Sequence, residues 1–415
     1  MTAIVAAPGA VAARSARQAQ PTGEENNSAQ GACQNRQLPP PPVDTSEEPE
    51  PGQPSPEPLP VPEDPVGGSR MGECGIVQPE ESDAPPPVTA ATWIIADLDS
   101  GAVLAAKDPH ARERPASLIK VLLAIVVIRE LRPETVVEGT QEDANQEGTR
   151  VGIGPGGQYT VDQLLHALVM RSGNDAAYAL ARALGGTEVA LEKMNALAKE
   201  LGALDTRAAT PSGLDGPGMT TSAYDQSLIF RAAMGHEEFA AAAKTARIDF
   251  PGYAGRPGFQ VTNDNRLLGT YEGFLGGKTG FTDDSRHTYV GAAEREGRRL
   301  VVVLLRGERE QEPLAEQGAS LLDYGFGLAR DAKPVGELVT QSPEAQPKPN
   351  PNKQADVTGT AADSEPAASA ETDTERSAFG NVGLPLVILA GIAVLATMAM
   401  WLRRRRARAA RAARA

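Results

Sequence analysis

The middle of the chain predicts a mixed α/β (α+β) domain, with a central antiparallel sheet assembled from both ends of the domain and a helical subdomain inserted between them. Three observations carry this. Strand-like apolar runs occur at Thr92–Leu98 and Ala102–Ala106 near one end, and at Thr288–Ala293 and Leu300–Leu305 near the other. Helical periodicity fills the interval, in Val161–Arg171, Ala176–Leu184, Val189–Leu201 and Thr220–Met234. Both flanks are rich in Pro and acidic residues with little periodic apolar pattern, so only about 245 residues can bury a core.

Residues 1–19 are apolar at first, with Ala10 and Ala12 in an Ala-x-Ala pattern, but they lack a basic start and Pro8-Gly9 interrupts the run. They read as a signal-peptide remnant or as an Ala-rich leader, on equal terms. Residues 20–87 carry Pro39–Pro42 and Pro85–Pro87 and are expected to be a Pro-rich, acidic, disordered spacer with extended polyproline character. That segment holds both cysteines, Cys33 and Cys74. Neither has a CxxC or His neighbour, which argues against zinc or thioredoxin chemistry, and an even pair in an exported chain suggests a disulfide.

The domain proper is expected over 88–332. Asp99-Ser100-Gly101 between two apolar runs is a hairpin signal. Pro115 precedes a helix that begins near Ser117 and runs through Ile128 with almost nothing polar. Gly152–Gly157 has the glycines of a phosphate loop, but no strand leads in, no Lys-Ser/Thr follows and Pro155 removes a donor, so a plain loop is expected. Thr210–Gly218 is turn-rich, and the next helix should start near Thr221 or Ser222. The Gly pairs around Lys278 fit a sheet edge. Glu294–Arg299 separates the two closing strands as a hairpin, and Pro313–Ala329 should be an amphipathic helix packed on the sheet.

Residues 333–381 read as a flexible linker. The stretch 382–402 is almost wholly apolar from Leu384 and long enough to cross a bilayer. Arg403–Arg406 follow at once, so 403–415 should be a basic cytoplasmic tail with the domain outside. The net charge of −14 argues against nucleic acid as a partner. His110, His166, His236 and His287 are scattered and read as ordinary surface or core residues.

Candidate chemistry lies in three short motifs. Ser117 and Lys120 are i and i+3 on one helical face, and a buried Lys can lose its proton because desolvation disfavours the charged form. An N-cap Ser beside a Lys is the bland explanation of that pair alone. Ser172-Gly173-Asn174 then places a hydroxyl and an amide between two helical patterns, and Lys278-Thr279-Gly280 precedes a strand. The order SxxK, SxN, KTG is the motif set of penicillin-binding proteins and serine β-lactamases.

With Trp93–Gly101, Ser172–Ala177, Thr210–Gly216 and Lys278–Thr282, the chain resembles the D-alanyl-D-alanine carboxypeptidases, the low-molecular-mass penicillin-binding proteins, from about Thr89 to about Ala332. The resemblance implies a serine β-lactamase/penicillin-binding-protein transpeptidase-like fold and removal of terminal D-alanine from peptidoglycan stem peptides. It implies Ser117, Lys120, Ser172 and Asn174 as catalytic residues, Lys278, Thr279 and Gly280 as substrate-binding residues, and the backbone amides of Ser117 and Phe281 as the oxyanion hole. It further implies no cofactor, no metal, β-lactams as covalent inhibitors, and a bacterial membrane location with a single C-terminal span. Ile119 departs from the family's usual Thr, and no second β-domain is recognisable. A β-lactamase-like hydrolase, for which Glu192 is a poor candidate base, and a catalytically silent wall-binding protein are the competing readings, and the same first step would serve a transpeptidase.

Overall fold

Alternation along Trp93, Ile94, Ile95 and Ala96 sends successive side chains into two different cores, one on each face of the sheet. The structure is a computed structural model and describes residues 33–310 and 312–341. In chain order its strands are β1 (Ile76–Val77), β2 (Thr92–Asp97), β3 (Ala102–Lys107), β4 (Val136–Glu138), β5 (Gln158–Thr160), β6 (Arg247–Phe250), β7 (Phe259–Thr262), β8 (Phe274–Thr282), β9 (Arg286–Arg295), β10 (Arg298–Gly307) and β11 (Gly336–Glu337). Its helices are α1 (Ile119–Glu130), α2 (Gln141–Ala144), α3 (Val161–Met170), α4 (Asn174–Ala183), α5 (Thr187–Leu201), α6 (Ala223–Met234), α7 (Glu237–Lys244) and α8 (Leu314–Gly327).

The main sheet is antiparallel in the order β1-β3-β2-β10-β9-β8, with β11 also on β3. As the sequence predicts, strands from both ends of the domain meet: β2 pairs with β10, with Ile94 opposite Val303. The β9–β10 turn is tighter than the sequence suggests. Glu296 (φ 50°) and Gly297 (φ 72°) form a two-residue turn whose twist suits a hairpin. On one face Trp93, Ile95, Leu300 and Val302 pack under Leu321 and Leu322 of α8, the expected closing helix. The opposite face, with Ile94, Ala96, Val301 and Val303, meets the helical half.

At the centre of that half lies α1. Its residues from Ile119 to Val127 are buried on every side, so it is a core helix without a solvent face, in contact with α3, α4, α5, α6 and α7. Each fully buried Leu, Ile or Val there contributes about 1.5–3 kcal/mol relative to exposure, which fixes the N-terminal turn of α1 against the sheet. Ser222 caps α6 by accepting from the Asp225 amide, as the sequence suggests. The two-stranded sheets β4–β5 and β6–β7 and the helix α7 have no counterpart in the sequence reading.

The N-terminal flank differs most from expectation. Within the expected spacer, residues 33–87 lie along the domain, Cys33 and Cys74 form a disulfide, and β1 joins the main sheet with Ile76 opposite Lys107. The physical reason is a ladder of cations at every second residue. His110 Nε2 meets the Val66 carbonyl at 2.9 Å. Arg112 donates to the carbonyls of Gln37, Leu59 and Pro60 at 2.7–3.0 Å, and Arg114 donates to that of Pro40 at 2.8 Å. A Pro-rich chain lacks amide donors but keeps every carbonyl acceptor, so buried guanidiniums can hold it. At the other boundary β11 extends the sheet past residue 332 through Gly336 opposite Val103. The expected signal-peptide remnant, the linker beyond residue 341, the 382–402 span and the basic tail lie outside the described residues. Among the described residues no helix is long and apolar enough to cross a membrane.

Candidate active site

Ser117 sits in a single 3-10 turn, Ala116–Leu118, that runs directly into α1. Ala116 before it has φ 46°, a left-handed conformation that costs free energy in a non-Gly residue and recurs at functional turns. The i, i+3 spacing has the geometry the sequence predicts. Lys120 Nζ lies 2.8 Å from Ser117 Oγ and 2.8 Å from Asn174 Oδ1, and it also meets the Ser212 carbonyl. Burial, reinforced by the charge of Lys278, holds the Lys120 amine well below the ordinary lysine pKa, against the smaller opposing influence of Asp175 and Asp264.

A neutral amine has two hydrogens and one lone pair. In that form the amine can give its two hydrogens to Asn174 Oδ1 and the Ser212 carbonyl and turn its lone pair to Ser117 Oγ.

Asn174 opens α4, and its other amide end donates to the Glu147 carbonyl at 2.6 Å. Next to it Asp175, fully buried, accepts backbone N–H bonds from Val151, Gly152, Ile153 and Ala176 at 2.8–3.0 Å. This carboxylate organises the glycine loop, and the sequence reading missed it; an acid directly after SxN at a helix start was the available signal. Ser172 is buried with φ 61°, the second left-handed non-Gly residue in the site.

Lys278, Thr279 and Gly280 lie on β8, the edge strand of the main sheet, as the glycine pattern implies. Lys278 is buried, and burial lowers its pKa to about 8 while Asp264 opposes the shift. Its Nζ donates to the Thr279 carbonyl at 2.7 Å. A Cβ on Gly280 would overlap Thr288 Oγ1 and come within 2.9 Å of the Ser117 amide, so only glycine keeps that amide accessible beside the strand. Gly213, φ 84°, is held likewise: a side chain there would collide with the Ala116 carbonyl.

A cleft of about 450 Å³ lies between β8 and the helical half, lined by Ser117, Ser172, Asn174, Thr279, Gly280 and Phe281. The three motifs therefore converge on one cleft, with Lys120 and Lys278 buried in its walls. Asp264 and His287 are also among its lining residues. His287 is therefore no ordinary surface or core histidine; it faces Phe281 across the β8–β9 ladder with ring centroids 4.6 Å apart, and burial lowers its pKa. His110 is buried and holds the N-terminal segment through the Val66 carbonyl.

Residues 79–309 match the family model for D-alanyl-D-alanine carboxypeptidases, peptidase S11. The chain is 47% identical over 266 residues to D-alanyl-D-alanine carboxypeptidase DacB2 of Mycobacterium tuberculosis, covering 63% of this chain and 90% of that protein. It is 29% identical over 243 residues to DacF of Bacillus subtilis, of which it spans 62%. Among solved structures, a D-alanyl-D-alanine carboxypeptidase from Mycobacterium tuberculosis H37Rv superposes with a TM-score of 0.61 at 47% identity, covering 63% of this chain and all of that one. A mutant of Streptomyces K15 DD-transpeptidase superposes at 0.55 with 26% identity, covering 59% of this chain and all of that one. With the Ser-Lys pair, the SxN amide and the KTG edge strand assembled as that fold requires, the chain belongs to the D-alanyl-D-alanine carboxypeptidase family, serine hydrolases of cell-wall metabolism.

Proposed function

We propose that Ser117 removes the terminal D-alanine from peptidoglycan stem pentapeptides through a covalent acyl-enzyme, with Lys120 as its base. Ser117 Oγ attacks the carbonyl carbon of the D-Ala-D-Ala bond while its proton passes to the Lys120 amine. The C–N bond breaks, the leaving D-alanine amine takes a proton relayed through Ser172, and water then hydrolyses the Ser117 ester. Asn174 holds Lys120 in register. Lys278 and Thr279 bind the terminal carboxylate, and the amides of Ser117 and Phe281 stabilise the oxyanion, a donor typically worth about 10²–10³ in rate. The observation that carries this reading is that Lys120 Nζ lies within hydrogen-bond reach of Ser117 Oγ, Asn174 Oδ1 and the Ser212 carbonyl, so that a neutral amine can give its hydrogens to the two carbonyl oxygens and keep its lone pair for Ser117.

Fluorescent penicillin tests it. The expected result is one stable adduct, mapped by mass to Ser117 and lost in Ser117→Ala together with peptidase activity. An adduct on Ser172 overturns the roles, absence of any adduct favours a silent wall-binding protein, and an adduct that turns over rapidly favours a β-lactamase. Glu192, a poor candidate for a lactamase base on sequence, is exposed on α5 and does not line the cleft.

We further propose that residues 382–402 anchor the enzyme in the bacterial membrane with its catalytic domain outside, on the strength of the apolar run and Arg403–Arg406 in the sequence. A chain ended at Ser377 should then appear in the medium; its retention in the membrane would sink this topology.

A further inference from the structure

The eight residues from Pro40 to Glu47 touch both the stretch that leads into Ser117 and the turn that ends β8. Arg114, three positions before Ser117, is 2% exposed. The Glu47 carboxylate grips its guanidinium at Nε and at Nη2, the latter at 2.8 Å, and the Pro40 carbonyl takes Nη1 at 2.8 Å. From Arg114 the chain passes through Pro115, whose carbonyl accepts from Thr288 Oγ1 at 3.0 Å, into the strained Ala116 and then Ser117. The same segment reaches the end of β8. Asp284, in the β8–β9 turn and 4% exposed, accepts from the Val43 amide and from Ser46 Oγ at 3.3 Å. Its neighbour Ser285 fixes Thr282, two residues past Gly280, through the Thr282 amide at 2.9 Å and hydroxyl at 2.8 Å.

Glu47, Asp215 and Asp284 present carboxylate oxygens within 4.8 Å of one another, and Arg114 stands beside them as the cation. Glu47 is thus the group that decides where the Arg114 guanidinium points. Without it, Asp215 and Asp284 remain to draw Arg114 away, and the backbone of the Ser117 turn would move with it.

We propose that Glu47 is a positioning residue for Ser117, acting through Arg114, so that the N-terminal segment is a working part of the active-site wall. The proposal rests on Ser117 being the nucleophile, which wild-type labelling checks separately. Its own test compares Glu47→Ala with Arg207→Ala in the full chain; Arg207 anchors the same N-terminal segment through the Glu57 carbonyl at 2.8 Å, away from the cleft. The readouts are the rate of acylation by fluorescent penicillin, kcat and KM on a D-Ala-D-Ala peptide, and Tm. Misplacement of a nucleophile by a fraction of an ångström predicts that Glu47→Ala acylates about tenfold more slowly, with the loss in kcat and not in KM. Arg207→Ala should acylate at the wild-type rate. Equal rates for Glu47→Ala and wild type, or an equal loss in both variants, overturn the proposal. Should Glu47→Ala fail to fold, Glu47→Gln is read by the same comparison: slower than Arg207→Ala supports the role, and an equal rate removes it.

Discussion

Lys120 and Lys278 are both buried, yet the proposed reaction asks opposite charge states of them. Burial lowers both. For Lys278 the result is about 8, so the cation still predominates near neutrality and can meet a carboxylate. For Lys120 the charge of Lys278 adds to burial, and the amine is driven further toward its neutral, basic form. One cation thus serves two purposes, which predicts a composite defect in Lys278→Gln. Losing the cation from a buried charge pair should cost about 2–5 kcal/mol in kcat/KM for a free-acid peptide. Losing its field should also raise the Lys120 pKa. Because the base acts when neutral, activity appears as pH rises through that pKa, so the acid limb of the rate profile should move to higher pH. In the wild type, discrimination between the free acid and its C-terminal amide should fade as pH rises through about 8, where Lys278 loses its charge. If Lys278→Gln keeps the wild-type ratio between the two substrates, Lys278 does not bind the carboxylate.

At the level of elements, what the sequence reveals is what depends on neighbours within one turn or one strand. The Ser117–Lys120 contact follows from i, i+3 geometry, and the edge position of β8 follows from Gly276, Gly277 and Gly280. The two closing strands and α8 follow from periodicity alone. The misses are long-range. Asp175 reaches a loop more than twenty residues earlier, and its place at a helix start marks the acid without naming the three loop amides it accepts from. Likewise His110, Arg112 and Arg114 alternate as in a strand but lie outside the strands, and their partners are carbonyls of a segment that composition marks as a spacer. Composition registers the missing donors of proline and the acidic charge. It does not register that carbonyl acceptors remain available to buried cations from elsewhere in the fold. His287 was passed over for a related reason: its value comes from the β8–β9 register that sets it opposite Phe281.

For the molecule as a whole, the buried carboxyls and His110 contribute stability that declines from mildly acidic toward neutral pH, and the buried lysines contribute in the opposite sense. Burial, with Asp205 nearby, pushes Asp225 up to about 7, and one of its oxygens has no hydrogen-bond partner. Burial also pushes Glu113 to about 7 and Asp215 to about 6. An acid whose folded pKa is raised contributes stability that is complete below its unfolded pKa and is lost as pH climbs to the folded one, here between about 4 and 7. His110 adds to the same slope. Burial alone would lower its pKa, but the Asp205 hydrogen bond and charge outweigh that and raise it. Its contribution is therefore complete below about 6.5 and disappears as pH rises through the higher folded value, loosening the clamp on Val66. Asp205 and Asp99 act in the opposite sense, their lowered pKa values stabilising above about 4, with the loss coming as pH falls. Lys120 and Lys278 oppose the decline: their lowered pKa values leave the unfolded chain binding more protons, so their contribution grows as pH rises toward the ordinary lysine value, while the negative net charge adds repulsion. Thermal unfolding followed from about pH 4.5 to 8.5 should show the carboxyl contribution as a difference, the Tm of Asp225→Asn falling less or rising more than that of the wild type between about pH 4 and 7. Parallel Tm profiles for Asp225→Asn and the wild type between about pH 4 and 7 would mean that Asp225 does not shape the pH dependence of the fold.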